Sequence, residues 1–209
     1  MTAVTFPVVP RRWRTTGRLA GLWVLLAVGG PEARDIDPHF LERARCGDAA
    51  AFVEIVQHYE PRLRALAYRL LNDRDLTDDV LQEAYIRAFK ALARFRGDAS
   101  LGTWLYRITY NTCMDELRRR RKVVSLFPEH HAETADARSG PEELAIERSD
   151  LAAALASLAP ELRAAVLLVD ADGLDYAAAG EVLGIPAGTV GSRLNKARAV
   201  LRTALGVIG

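Results

Sequence analysis

Apolar residues recur at intervals of three and four along almost the whole chain from residue 37 onward. This spacing limits the possible folds more than any other feature. Alanine, leucine and arginine, which favour helices, are abundant. No stretch of β-branched residues alternates with polar ones, as a half-buried strand requires. The sequence therefore predicts an all-α protein.

Proline and glycine mark where the first helices begin and end. Asp37-Pro38 predicts a helix start with proline at the first helical position, and Gly47-Asp48 separates this helix from the next one. We expect the second helix to run from Ala49 to Tyr59, and Pro61 to open a third that reaches about Leu71. Two longer helices are then predicted, over about 75–95 and from Ser100 or Thr103 into an arginine run.

Helical periodicity disappears between residues 123 and 141, where Pro128, Gly140 and Pro141 stand among acidic side chains. This composition predicts a flexible acidic linker. It divides the chain into a first module, residues 37–122, and a second module, residues 142–207. With breaks at Pro160, Gly173 and Gly184, the second module is expected to be a small four-helix domain.

The N-terminal segment, residues 1–36, has a different character. Arginines precede an apolar run from Leu19 to Val28 and then Gly29-Gly30-Pro31, a layout that resembles a signal peptide. The run is too short to span a membrane, which takes about 20 apolar residues. Because the rest of the chain has the composition of an intracellular protein, we expect a disordered extension, or one that follows a misassigned start codon, and a cytoplasmic protein.

Charge and residue content exclude several functions. Twenty-eight basic and 27 acidic residues give a net charge of +1, but the charges are segregated: residues 118–122 are basic, while 73–83 and 129–143 lean acidic. Such a chain can meet nucleic acid on one surface and protein on another. The two cysteines and four histidines lack metal-ligand spacing, and there is no glycine-rich phosphate loop. We therefore expect no catalytic residue, metal, cofactor or small-molecule substrate.

The most specific signal lies between Asp175 and Arg202. Asp175 can cap a helix from Tyr176 to Leu183, Gly184 ends it, and Ile185-Pro186 turns into a second helix. This arrangement predicts a helix-turn-helix. In its second helix a buried stripe and a separate polar face are expected, the latter suited to base edges and phosphates, although a solvated face is the alternative. The stripe is Val190, Leu194, Ala197 and Leu201; the polar face is Thr189, Ser192, Arg193 and Lys196.

Two helices of the first module also sort their residues by face. In the 75–95 helix an apolar stripe lies apart from a mostly acidic face, for which simple solvation is the alternative. The helix after it combines an aromatic ring with basic and amide side chains, which can stack on and hold unpaired bases, although Trp104 could also belong to the core. In the 75–95 helix the apolar stripe is Leu76, Val80, Ala84 and Ala88, and the acidic face is Asp79, Gln82, Glu83, Ile86 and Arg87. In the following helix the apolar stripe is Tyr106, Tyr110, Cys113 and Leu117, and the other face is Trp104, Arg107, Asn111, Asp115 and Arg118.

With these residues the chain resembles an extracytoplasmic-function sigma factor of the sigma-70 family of bacterial RNA polymerase. The segment Asp78-Asp-Val-Leu-Gln-Glu-Ala-Tyr-Ile-Arg-Ala-Phe89 resembles the family's polymerase-binding helix. Phe95-Arg-Gly-Asp-Ala-Ser100, Thr103-Trp-Leu-Tyr-Arg-Ile108 and Asp115-Glu-Leu-Arg-Arg-Arg-Arg-Lys122 resemble its −10-reading region. Asp172-Gly-Leu-Asp-Tyr176 and Leu183-Gly-Ile-Pro-Ala-Gly-Thr-Val190 resemble its −35-reading motif.

The resemblance implies partners and roles. Core RNA polymerase would be bound through the clamp helices of its largest subunit, promoter DNA would be read as a duplex at −35 and as a single strand at −10, and an anti-sigma factor would inhibit the protein. The acidic linker would pass near the RNA path. The polymerase-binding residues would be Asp78, Asp79, Gln82, Glu83 and Arg87. The residues that read the −10 element would be Phe95, Arg96, Asp98, Ser100, Trp104, Arg107, Asn111, Arg118 and Arg119. The residues that read the −35 element would be Thr189, Ser192, Arg193, Lys196 and Arg198.

Three positions depart from the family pattern. Gly191 stands where a basic residue is common and Asn195 where a histidine or basic residue is common, so we expect weak DNA binding outside the polymerase complex. Gly180 stands where alanine is common and should cost about 1 kcal/mol of helix stability. A stand-alone helix-turn-helix regulator is the alternative reading of the second module, but it accounts for neither face of the first.

Overall fold

The computed structural model describes residues 36–126 and 142–206, with side chains from 36–123 and 150–206. Within these ranges the chain is all-helical. Four helices form the first module: α1 (Pro38–Arg45), α2 (Ala49–Leu71), α3 (Arg74–Leu92) and α4 (Leu101–Leu126). Four form the second: α5 (Glu142–Ser157), α6 (Pro160–Val166), α7 (Tyr176–Leu183) and α8 (Ala187–Ala204), with a π-helical turn, Leu167–Ala171, after α6.

Aspartate side chains fix the start of four helices by accepting hydrogen bonds from backbone N–H groups that the helix leaves unpaired. Asp37 accepts from His39 N at 2.9 Å, and Asp48 from Ala50 N at 2.9 Å. Asp73 caps α3, and Asp175 caps α7 by accepting from Ala178 N at 2.8 Å. The predicted starts of α1, α2 and α7 are confirmed.

The predicted break before Pro61 is wrong, because α2 continues through it as one helix. Proline removes one N–H donor and leaves the carbonyl four residues earlier without its partner. That carbonyl belongs to Gln57, an exposed residue, so water can satisfy it. Ile55, Tyr59 and Leu63 on either side of the proline are all buried, and their packing holds the helix together.

The core of the first module forms where α2 packs against α1, α3 and α4. Its predicted apolar stripes are confirmed: all four residues of the α3 stripe are buried, as are Tyr106, Tyr110 and Cys113 on α4, while Leu117 is partly buried. This packing sets α3 and α4 side by side. Their outward faces therefore belong to one continuous surface.

In the second module α6 and α7 pack against α8, and α7 and α8 form the predicted helix-turn-helix. Gly184 ends α7 in the left-handed conformation, with φ 66°. The stripe Val190, Leu194, Ala197 and Leu201 is buried. The polar face of α8 consequently points away from the core of this module.

The presence of glycine at position 180 has a steric explanation that helix propensity does not reveal. A Cβ at this position would stand 2.7 Å from the carbonyl oxygen of Ile185, which lies in the turn between α7 and α8. The Gly180 carbonyl in turn accepts a hydrogen bond from Ile185 N at 3.0 Å. The glycine therefore lets the turn fold back closely onto α7.

We expect Gly180→Ala to lower the free energy of unfolding by about 1–2 kcal/mol, because displacing the turn outweighs the gain in helix propensity. Gly188→Ala is the matched control: it adds the same methyl group to α8 where nothing lies within 4 Å. That variant should be neutral or more stable by up to about 1 kcal/mol. Urea unfolding followed by circular dichroism measures both, and a stabilising Gly180→Ala would contradict the steric account.

The two modules contact one another. Helix α4 packs against α7, and α2 packs against α5, α6 and the π-helical turn. The predicted acidic linker and N-terminal extension fall almost entirely outside the described residues. Within the described ranges no helix is both long and apolar enough to cross a membrane.

Candidate nucleic-acid interface

The outward face of α3 carries the predicted polymerase-binding residues, and all five are exposed. Asp78 is paired with Arg64 of α2, while Glu83 accepts a hydrogen bond from Arg87 Nε at 2.8 Å. Asp79 and Gln82 lie between these pairs. The face therefore presents Asp79 and Gln82 to a partner without first breaking an ion pair with a neighbouring helix.

Two apolar side chains extend this acidic face. Ile86 is 44% exposed and Phe89 is 36% exposed. The Phe89 ring packs against the ring of Phe52, with 5.1 Å between ring centroids. Exposed apolar side chains beside charged ones are typical of a surface that buries itself against another protein. Sequence reasoning placed Ile86 on this face but did not single out Phe89, whose exposure depends on how α2 and α3 pack.

The loop before α4 is held by local contacts. Ser100 caps α4, accepting a hydrogen bond from Thr103 N at 3.0 Å. Phe95 and Trp104 are each partly buried and pack against the core, with ring centroids 5.1 Å apart and planes tilted by 50°. Arg96 and Asp98 are exposed between them. Trp104 thus belongs partly to the core and partly to the surface, so neither earlier reading of it is complete.

The polar side chains along α4 differ in whether they form ion pairs within the helix. Arg107 and Asn111 are exposed. Arg118 donates to Asp115 at 2.7 Å, and Arg119 donates to Glu116 at 2.7 Å. These intrahelical pairs are solvent-exposed at the arginine end and can exchange for phosphate contacts at small cost.

Asp115 connects α3 to α4. Its carboxylate accepts hydrogen bonds from Arg87 at 3.0 Å and from Arg118 at 2.7 Å. These two arginines hold the pKa of Asp115 below its usual value, so it stays ionised at neutral pH. One acid therefore joins the acidic face of α3 to the basic stripe of α4.

The helix α8 presents Thr189, Ser192 and Lys196 to solvent, while Arg193 is half-buried. Ser192 donates to the backbone carbonyl of Thr189 at 2.9 Å. A Cβ at Gly191 would stand 3.4 Å from the Tyr176 ring, which is van der Waals contact. Arg193 reaches the first module, where its charge acts on the hydroxyl of Tyr110.

Arg198 is placed differently from the other four −35 candidates. It forms an ion pair with Asp170 of the π-helical turn, with Nε 3.0 Å from Oδ2. The Asp170 side chain is only 5% exposed and that of Arg198 13%. Burial raises the pKa of Asp170, and the arginine opposes this. The guanidinium is thus committed to the core of the second module, so we leave Arg198 out of the proposed −35 face.

Comparison with known proteins matches both modules to one family. Residues 55–123 match Sigma-70 region 2, and residues 148–201 match Sigma-70, region 4. The chain is 34% identical over 180 residues to the RNA polymerase sigma-H factor of Pseudomonas aeruginosa, covering 81% of this chain and 93% of that protein. It is 36% identical over 173 residues to the ECF RNA polymerase sigma-E factor of Escherichia coli, covering 78% and 90%.

The chain is an extracytoplasmic-function sigma factor of the sigma-70 family. Its function is accordingly promoter-specific transcription initiation with RNA polymerase, and a stand-alone regulator is not favoured. It is also 38% identical over 163 residues to the ECF RNA polymerase sigma factor SigE of Mycolicibacterium smegmatis, a match that covers 75% of this chain and 63% of that relative. Neither matching family model describes a catalytic domain.

Two solved structures share the fold of this sigma factor. One is the sigma factor RpoE in complex with the anti-sigma factor NepR from Bartonella quintana, with a TM-score of 0.65 and 28% identity over 76% of this chain and 98% of that one. The other is CnrH in complex with the cytosolic domain of CnrY, with a TM-score of 0.61 and 26% identity over 83% and 99%. Both alignments span nearly the whole of the solved chain, so the similarity extends across both modules.

Sequence reasoning missed the residues through which the modules of the sigma factor meet. Arg163 and Asp172 are buried at this contact, although charged side chains are rarely buried. In the sequence, Arg163 is only a charge within an otherwise apolar helical segment, and Asp172 is only part of the motif that resembles the −35-reading region. Neither signal reveals which distant residues cover them.

Proposed function

We propose that the first module of this sigma factor performs two tasks on adjacent helices. The exposed face of α3, with Asp79, Gln82 and Glu83 beside Ile86 and Phe89, binds the clamp helices of core RNA polymerase. The observation that carries this assignment is the pairing of exposed acidic and apolar side chains on one helix face. Apolar contacts supply affinity in such an interface, while charges select the partner.

The neighbouring surface of α4 and the loop before it captures the melted −10 strand. Phe95 and Trp104 form a partly exposed aromatic pair on which a flipped base can stack. Arg96, Arg107 and Asn111 are exposed around this pair and can hold the phosphates and base edges. Arg118 and Arg119 add basic charge further along α4. Trapping flipped bases offsets the few kcal/mol that unstacking them costs.

The second module reads the −35 duplex through the exposed start of α8. Thr189, Ser192 and Lys196 face solvent there, and Arg193 joins them when it leaves the first module. Because Gly191 and Asn195 supply no charge, this contact is expected to be weak alone. Because both modules are held on one polymerase, DNA binding by one module raises the effective concentration of DNA near the other.

The sigma factor acts in this proposal by binding energy, without catalysis, in the cytoplasm where the polymerase works. An anti-sigma factor is a further proposed partner. The support for it is the solved RpoE structure, whose partner is the anti-sigma factor NepR. Such a partner would inhibit the protein by covering the faces that polymerase and DNA need.

Run-off transcription tests the proposal. Purified sigma factor and core polymerase are incubated with a pool of fragments from the source genome, and the 5′ ends of the transcripts are sequenced. We expect new start sites that share −10 and −35 elements and that core polymerase alone does not use. If no new start sites arise while the protein alone binds a duplex palindrome, the stand-alone regulator is correct.

A further inference from the structure

The two modules are joined by a buried arginine. Arg163 of α6 is 8% exposed, and its Nη1 donates to the carbonyl of Leu70 at 2.9 Å. Its Nη2 donates to the carbonyls of Ala156 at 2.6 Å and Leu158 at 3.2 Å within its own module. Leu70 lies in the last turn of α2, where unpaired carbonyls carry partial negative charge. The guanidinium therefore ties the second module to the end of a first-module helix.

This docked arrangement engages one residue of the proposed promoter-reading surface. Helix α7 of the helix-turn-helix packs on α4, but the proposed −10 residues Arg107 and Asn111 of α4 stay exposed. Arg193, proposed to read −35, lies against Tyr110 of α4. Burial raises the pKa of Tyr110, while the charge of Arg193 opposes this rise. The two modules cannot keep this contact while Arg193 reaches into a separate DNA groove.

At the same contact lies a carboxyl group without an adequate partner. Asp172 is 7% exposed, and neither of its carboxylate oxygens has a hydrogen bond of good geometry; the hydroxyl of Tyr106 is near enough to interact with it but is poorly aligned. The charged and titratable groups that act on it are Arg62 and Arg69 of α2 and Tyr106 of α4, all from the first module. Burial raises the pKa of Asp172 to about 7, with the two arginines opposing the rise. By contrast, the nearby Asp170 is paired with Arg198.

We propose that the free sigma factor closes on itself, module against module, and that Asp172 is the group whose ionisation loosens this closed state. A neutral Asp172 fits the buried contact, whereas an ionised one favours separation, where water can hydrate it. Separation frees Arg193 from Tyr110. The consequence for promoter reading rests on the function proposed above, but the closure itself does not.

The sign of the pH dependence follows from linkage. When the modules separate, water reaches Asp172 and its pKa falls toward the ordinary value of about 4. The closed state therefore holds the proton more tightly, and lowering the pH favours closure. Between pH 8 and pH 6, across the raised pKa of about 7, the ratio of closed to open molecules should rise about tenfold. Above pH 8 it should level off.

Single-molecule fluorescence transfer in the full chain measures this ratio directly, because it counts minor populations. One dye is attached to the native Cys46, which is exposed in the first module, and the other to Ala199→Cys on the exposed side of α8. Cys113 does not interfere, since it is buried and burial raises the pKa of its thiol to about 12. We expect a closed population that grows about tenfold relative to the open one from pH 8 to pH 6.

Asp172→Asn keeps the shape of the side chain but cannot ionise. Its closed-to-open ratio should stay at the low-pH value throughout. Asp175→Asn is the matched control, since Asp175 is exposed, caps α7 and can be replaced as a cap by asparagine. It should titrate like the wild type. The proposal is overturned if the wild type shows one population at every pH, or if Asp172→Asn keeps the wild-type pH dependence.

Binding of the full chain to a −35 duplex gives a second readout at pH 8. Asp172→Asn, held closed, should bind more weakly than the wild type, at most by the roughly thousandfold that a pKa falling from about 7 to about 4 implies, and Asp175→Asn should match the wild type. If all three proteins bind equally while the fluorescence result is as expected, the closed state exists but does not hinder binding to the −35 duplex. A failure of the proposed function would instead appear as absent run-off transcripts with the fluorescence result unchanged.

Discussion

Replacing Arg198 with alanine is expected to lower the free energy of unfolding of the second module by about 3–5 kcal/mol, because Asp170 would remain buried without its partner. The Asp170 side chain is 5% exposed, so water cannot readily replace the guanidinium. A small domain has only about 5–15 kcal/mol of stability in total. The variant should therefore unfold at much lower urea concentration, as followed by circular dichroism.

Arg202→Ala is the matched control for this variant. Arg202 is an exposed arginine one turn further along α8, and its removal should change stability by less than about 0.5 kcal/mol. The double variant Arg198→Met/Asp170→Leu should recover most of the loss, since a well-packed apolar pair can replace a buried ion pair. If Arg198→Ala keeps wild-type stability but loses −35 binding, Arg198 reads DNA after all.

Arg198 illustrates what the sequence could not reveal about the site. It lies close to the exposed polar face of α8, and spacing alone does not distinguish a side chain aimed at DNA from one aimed at Asp170. The two residues are 28 positions apart, and only the packing of the π-helical turn on α8 brings them together. Thr189, Ser192 and Lys196 were placed correctly on the surface because nothing distant covers them.

Helix positions were predictable wherever a local signal decides them. Asp175 and Gly184 fix both ends of α7 through contacts within a few residues, so the structure agrees with the prediction. Pro61 misled the prediction because buried neighbours on both sides override a local preference. The docking of the modules was not predictable at all: Arg163 and Leu70 are 93 residues apart, and neither carries a signal for the other.

Reversing the acidic face of α3 is expected to weaken strongly the binding of this sigma factor to core polymerase. In Asp79→Lys/Glu83→Lys two acids become bases on a face whose charges are proposed to select the partner, and like charges placed together cost several kcal/mol. We expect binding to core polymerase to weaken by at least about 30-fold, which corresponds to about 2 kcal/mol. Fluorescence anisotropy of the labelled sigma factor measures this.

The fold should survive the reversal, since both side chains are exposed and Arg87 keeps its hydrogen bond to Asp115 when Glu83 is lost. Asp150→Lys/Glu181→Lys changes the net charge equally on exposed positions of the second module, so it controls for an effect of overall charge on binding to core polymerase. The control should bind core polymerase like the wild type. Equal weakening of both variants would mean that overall charge, and not the face of α3, governs the interaction. Unchanged binding by Asp79→Lys/Glu83→Lys would move the polymerase contact to another surface of the first module.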